Sequence, residues 1–300
     1  MKDGETRRCI ELIRKLSPPL EPLPPGLNPS WEALIPPGPA LEDLARKGVC
    51  IRALLFDLYG TLFISGAGDI AAGPAEAGPG AGPPGRIKGD ALAAMQDHFR
   101  REVERRHWEA RETGTAWPEV TVEEIWAAYG GPLPPGWDGS GIRELALRYE
   151  LALNPVYPMP GAEDRIRTLA AAGFILGIIS NAQFFSPLLF SAFFGAPPEK
   201  LGFDPALLIY SFTMKEAKPS PRLFAKARKV LAARGIGPEE TLYIGNDMRN
   251  DIIPGAAAGF ETALFAGDRR SLRLREGDSA CAERRPRLVL RNLQSLAGSR

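Results

Sequence analysis

Four short clusters in this 300-residue chain carry side chains able to do chemistry, and each follows an apolar run or opens a helix. In Phe56-Asp57-Leu58-Tyr59-Gly60-Thr61-Leu62 a carboxylate closes an apolar stretch, and a turn-forming glycine and a hydroxyl follow. A carboxylate so placed is desolvated on one side and faces a crevice on the other, which suits a nucleophile; an aspartate that caps a turn has the same surroundings. Ile178-Ile179-Ser180-Asn181 repeats the arrangement with a hydroxyl and an amide. These are donors for an anionic substrate group, or the start of a helix cap. Lys218-Pro219-Ser220-Pro221 sets a cation before a helix whose start proline fixes. That cation could neutralise a nucleophile and developing negative charge, although a lone lysine is ordinarily a surface residue. The fourth cluster, Tyr243-Ile244-Gly245-Asn246-Asp247-Met248-Arg249-Asn250-Asp251, offers two acids and two amides. Such oxygen ligands suit Mg2+ and equally make up a solvated turn.

The segments around these clusters alternate between helical and strand patterns. Val49–Phe56, bounded by Gly48 and Gly60, reads as a buried parallel strand. Beyond Pro155–Pro160 come a helix over Gly161–Ala172 and a strand over Phe174–Ile179, a helix over Pro221–Arg234 and a strand over Thr241–Ile244, then a helix over Ile252–Ala258 and a strand over Thr262–Phe265. Arg287–Leu290 reads as an edge strand and Asn292–Leu296 as a short closing helix. This order predicts an α/β fold: a Rossmann-like parallel sheet with helices on both faces and right-handed crossovers. Ligands of such sheets bind at the carboxyl ends of the strands, which places the clusters at one end of the molecule.

A smaller, mostly helical module is expected at 65–155, from helical patterns over Ile87–Thr113, Val122–Tyr129 and Ile142–Leu153. It opens with a Gly/Ala/Pro-rich linker at 66–85, too poor in apolar side chains to offset its ordering entropy. The α/β core then comprises 49–64 and 156–300. Residues 1–48 form an N-terminal arm, proline-rich between Ser17 and Pro39, that cannot be continuously helical there. Its interspersed leucines and Trp31 predict an arm lying against the core, with Trp31 as anchor.

Composition narrows the partners. With 37 Lys plus Arg against 36 Asp plus Glu, net charge points to neither nucleic acid nor an anionic membrane. Cys9, Cys50 and Cys281 show neither metal-site nor disulfide spacing. Absence of a secretory or membrane-spanning apolar run predicts a cytoplasmic protein. His98 and His107 do not share a helical face and are expected to be packing or surface residues. No feature of the sequence bears on oligomeric state.

Order and spacing of the four clusters together resemble the haloacid dehalogenase-like hydrolase superfamily, over about Ile51–Leu296, with the helical module resembling its cap domain. The resemblance implies that Asp57 is the nucleophile of a covalent aspartyl intermediate. Ser180 then holds the transferring group with Asn181 and Thr61 as substrate contacts, and Lys218 steadies the charged intermediate. In the phosphatase branch Asp57, the Tyr59 carbonyl and the Asn246–Asp251 cluster, through Asn246, Asp247 or Asp251, would hold Mg2+. Two departures matter. Tyr59 stands where family phosphatases carry an aspartate that protonates the leaving alcohol, and is similar to metal-free 2-haloacid dehalogenases, whose halide needs no acid. Asn246 follows the glycine where phosphatases have aspartate, so either its carbonyl or Asp247 is the ligand. The dehalogenase's halide-binding arginine has only Arg86 and Lys88 near its place, and Phe224, where its tyrosine would be, is expected to pack in the core. The leading expectation is a Mg2+-dependent phosphatase of a small phosphorylated metabolite, with Tyr59 or a water replacing the acid. Alternatives are a metal-independent 2-haloacid dehalogenase, separable by its indifference to chelation, and a non-catalytic binding or regulatory protein that keeps the fold.

Overall fold

Ala53-Leu54-Leu55-Phe56 is buried at every position, which a strand satisfies only when both of its faces are covered. In the computed structural model, which describes residues 3–68, 87, 89–133, 137 and 141–297, it is the third strand of a six-stranded sheet. The strands are β1 (Ala53–Phe56), β2 (Phe63–Ser65), β3 (Val156–Pro158), β4 (Ile175–Ser180), β5 (Phe203–Tyr210), β6 (Thr241–Gly245), β7 (Glu261–Phe265) and β8 (Leu288–Leu290). The large sheet runs β5-β4-β1-β6-β7-β8, all parallel. Strand order reverses at β1, so a crevice opens at its carboxyl end between the loops after β4 and β6.

The expected helices form at Ala162–Ala171, Pro221–Ala232 and Ile253–Ala257, the last entered through a π-helical turn at Met248–Ile252. The final element, Leu293–Ser295, is a 3₁₀ turn. Two features of strand pairing are additional to the sequence reading. One is β5, which pairs with β4 at the sheet edge; Pro205 and an exposed middle disguise it, and both are tolerated because it has only one neighbour. The other is the antiparallel pair β2–β3, which joins Phe63 to Pro158 and Ser65 to Val156 and sets the two ends of the intervening segment side by side.

That segment carries helices at Gly89–Glu112, Val122–Ala127 and Ile142–Leu153. They pack through Phe99, Trp126 and Tyr149, whose rings lie 4.6–5.9 Å apart. His98 belongs to this packing, its Nε2 3.0 Å from the Ile125 carbonyl and its ring 5.0 Å from Tyr129. Most of the expected linker, residues 69–85, lies outside the described residues, as do Arg86 and Lys88.

The N-terminal arm begins with a helix, Asp3–Leu16, that buries Leu12, Ile13 and Leu16 and packs on the helices Ile142–Leu153 and Leu188–Phe193. Trp31 is only 2% exposed. Its indole packs with Met248, Ile252, Leu264 and Val289, donates from Nε1 to Glu276 at 3.1 Å, and has the Arg285 guanidinium 4.2 Å from its ring. Because Met248 and Ile252 belong to the turn after β6, the arm braces a loop that forms the crevice. Replacing Trp31 with alanine is expected to lower the unfolding free energy by about 3–5 kcal/mol, the usual cost of a large core cavity, as read from urea midpoints. A loss below about 1 kcal/mol would mean that the arm is decoration. Among the described residues no helix is long and apolar enough to cross a membrane.

Candidate functional site

Lys218 holds the crevice together. Its ammonium lies 2.7 Å from Asp57 Oδ1, 2.5 Å from Asp251 Oδ1 and 3.1 Å from the Tyr243 hydroxyl, so three partners match its three protons. The lysine and Asp251 side chains are 3% and 1% exposed, and a charge so buried must be paired. Burial pulls the Lys218 ammonium down, but Asp251 and Asp57 outweigh it and hold the group charged, above its ordinary value. Burial also pushes Asp251 up to about 6, with Lys218 opposing and Asp57 and Asp247 adding to the rise.

Local sequence explains why the groups converge. Asp57 follows β1 directly, its N–H donating to the Ile244 carbonyl of β6. Asp251 lies one turn beyond Gly245, whose α-carbon has no room for a Cβ against the Asp251 carboxylate. Gly60 has φ +81°, and a Cβ there would strike Ser271 and the Asn246 amide. Both glycines are thus required by close approach.

The remaining expected residues divide by geometry. Asn181 lines the pocket together with Asp57, Lys218 and Asn246; its Oδ1 accepts from the Lys218 backbone at 2.6 Å, tying the second cluster to the third. Ser180, at the end of β4, is fully buried and donates to the Asn181 carbonyl at 3.0 Å. Thr61 is likewise buried, its hydroxyl 3.2 Å from Asn246 Oδ1. Tyr59 borders the pocket, but its hydroxyl lies 2.8 Å from Ser186. Burial, with Glu150 adding, holds that phenol far above its ordinary value.

Asn246 and Asp247 differ in what they leave free. Asn246 Nδ2 donates to the Ser271 carbonyl at 2.7 Å, fixing the amide so that Oδ1 accepts only from Thr61 among the described residues. The Asp247 carboxylate accepts from Arg249 N, Asn250 N and Asn250 Nδ2 and pairs with Arg275 at 2.7 Å. Among the described residues no group of three His, Cys, Asp or Glu side chains is arranged to hold a metal. A cation here would therefore rely on amide and carbonyl oxygens as well.

Three residues of the site escape sequence reasoning. Tyr243 sits in an otherwise aliphatic buried strand, where a phenol needs a polar partner; its hydroxyl accepts from Lys218 and lies 2.9 Å from both Asp251 Oδ1 and the Ile179 carbonyl. Phe224, fully buried, packs edge-on against its ring. Ser271 and Arg273, in the loop after β7, also line the pocket. Their only sequence signal is position past the carboxyl end of a strand.

A family model for haloacid dehalogenase-like hydrolases matches residues 51–259. Similar solved structures include one described as a dehalogenase, at 18% identity, covering 82% of this chain and 95% of its own, with TM-score 0.46. A predicted phosphoglycolate phosphatase from Haemophilus somnus 129PT is 14% identical, with coverages of 82% and 96% and TM-score 0.45. The putative hydrolase YfnB from Bacillus subtilis, bound to magnesium, is 20% identical, with coverages of 82% and 97% and TM-score 0.44. No curated protein sequence matches the chain.

Proposed function

The chain belongs to the haloacid dehalogenase-like hydrolase family, and we propose that it is a Mg2+-dependent phosphatase of a small phosphorylated metabolite, acting through an aspartyl-phosphate on Asp57. The observation that carries this reading is the buried ammonium of Lys218 held between Asp57 and Asp251, in a crevice lined almost wholly by polar and charged side chains. Such a lining suits a phosphate, whose oxygens need several donors and cations.

The oxygen donors fit a magnesium ion, which takes few protein ligands and keeps several waters. Asp57, the Tyr59 carbonyl and Asn246 Oδ1 would hold it, since the Asp247 carboxylate is already engaged by the backbone, Asn250 and Arg275. Bound there, the cation supplies charge neutralisation for the phosphoryl oxygens. Asp57 attacks phosphorus and the bond to the leaving oxygen breaks. Asn181 donates to the phosphoryl group, and Ser180 joins it by turning its hydroxyl from the Asn181 carbonyl. Lys218 balances the charge on Asp57 as substrate approaches, and Asp251 and Tyr243 keep the ammonium in place. The leaving oxygen takes its proton from water, because the Tyr59 phenol is buried on Ser186 and strongly favours its protonated form. Water then attacks phosphorus, releasing phosphate and the free Asp57 carboxylate. The helical segment between β2 and β3 serves as a cap that selects the leaving group.

The test is a panel of phosphate esters and 2-halo acids, each assayed with Mg2+ and with EDTA. Phosphate release that is lost on chelation and restored by Mg2+ is the expected result. Halide release unaffected by EDTA would replace this reading with the 2-haloacid dehalogenase that Tyr59 favours.

A further inference from the structure

The loop Asp268–Arg275 contains four arginines, two of which have acidic partners: Arg270 pairs with Asp268 at 3.1 Å and Arg275 with Asp247 at 2.7 Å. Arg273 differs. Its guanidinium is held only by carbonyls, those of Arg270 at 2.6 Å, Leu272 at 3.2 Å and Gly68 at 3.5 Å, and no carboxylate lies within ion-pair distance among the described residues. It nevertheless lines the same pocket as Asp57 and Lys218. Beside it, Ser271 is fully buried, lines the pocket too, and its hydroxyl has no hydrogen-bond partner among the described residues. A buried hydroxyl and a part-buried cation that find no hydrogen-bond or ion-pair partner among the described residues are each costly alone. Both residues line one crevice, where an anion would serve both.

The geometry points to a second anion subsite: Arg273 and Ser271 receive a carboxylate or second phosphate of the substrate, distinct from the phosphoryl group at Asp57. The proposal rests on the phosphatase reading of this crevice and narrows its substrates to phosphate esters bearing another anionic group. Arg273 is positioned for this. Its backbone pairs directly with that of Asp247, which lines the same pocket, and among the described residues carbonyls rather than a rival carboxylate orient its guanidinium.

The experiment uses phosphoryloxy carboxylates with one to four methylenes between the groups, the bisphosphates of the corresponding diols, and the diol monophosphates as controls that lack the second anionic group. The readout is the ratio of kcat/KM for an anion-bearing ester to that of its control. Wild-type protein should favour one of the anionic series by about 10- to 100-fold, the worth of a charge-assisted contact. Arg273→Gln should bring that ratio close to one, Arg273→Lys should keep part of it, and Ser271→Ala should lower it by about 2- to 10-fold. A merely structural arginine would lower both rates together and leave the ratio unchanged, which overturns the proposal, as does a wild-type ratio near one in every series. Carboxylate and bisphosphate arms separate the two anions. Calorimetric binding of the same compounds to the Asp57→Asn protein, with and without Arg273→Gln, needs no turnover. Selective binding there without hydrolysis by the wild type would sink the phosphatase reading and keep the subsite.

Discussion

Asp57→Asn should lower turnover by about 10⁴-fold or more while the protein stays folded. The amide has the shape of the carboxylate and can still accept from Lys218, but its oxygen is a feeble nucleophile and cannot form the acyl-type bond to phosphorus. Stability should hold or rise. Asp57 and Asp251 share one ammonium and repel each other, and the Asp57 charge adds to the upward push on Asp251; removing it leaves a neutral Lys218–Asp251 pair. Phosphate release with saturating Mg2+, together with thermal unfolding of the same preparation, checks both halves. Wild-type turnover in a well-folded variant would mean that the bond-forming atom lies elsewhere.

Lys218→Ala should be the most disruptive single change in the crevice. It leaves two carboxylates facing each other with side-chain exposures of 9% and 1%, and removing one partner of a buried pair costs about 3–5 kcal/mol. Turnover should fall with it, because Asp57 then meets the substrate with its own charge uncompensated. Adding Asp251→Asn to the variant should recover much of the stability and none of the turnover, which separates the structural from the chemical part of the defect. Denaturant midpoints for the single and double variants decide this. A single variant within about 1 kcal/mol of wild type would contradict the ammonium's place at the centre of the network.

The parts of the fold visible in the sequence were those governed by local pattern. Buried strands such as β1 and β6 are apolar runs, and the helices between them carry their own start and stop residues. Asp57, Asn181, Lys218 and Asn246 were legible as a group because each follows a strand or opens a helix, and all four line one pocket. What sequence could not supply was the direction of a side chain. Ser180 and Thr61 lie where expected, yet their hydroxyls meet neighbouring loop atoms, and Tyr59 turns to Ser186, 127 residues further along. Partners that distant leave no periodic trace. The same holds for Arg273: nothing in the sequence separates it from the other three arginines of its loop, and it is the pocket lining, which includes Arg273 and none of the others, that distinguishes it. The β2–β3 pair escaped because its three-residue strands end in a serine and a proline and make no unbroken apolar run of the kind that β8 shows, although Gly66 and Pro155 mark its open end through a 2.8 Å hydrogen bond.

On its outer side β8 has no neighbouring strand among the described residues, but the Val289 N–H is taken by the Leu34 carbonyl at 2.9 Å. Pro36, Pro37 and Pro39 follow almost at once and bring no donors, so this stretch sheathes the sheet without offering a ladder of its own. A bare parallel edge is a template for fibrous association between molecules. Since the ribosome makes Leu34 long before Val289, the guard is waiting when the vulnerable margin emerges.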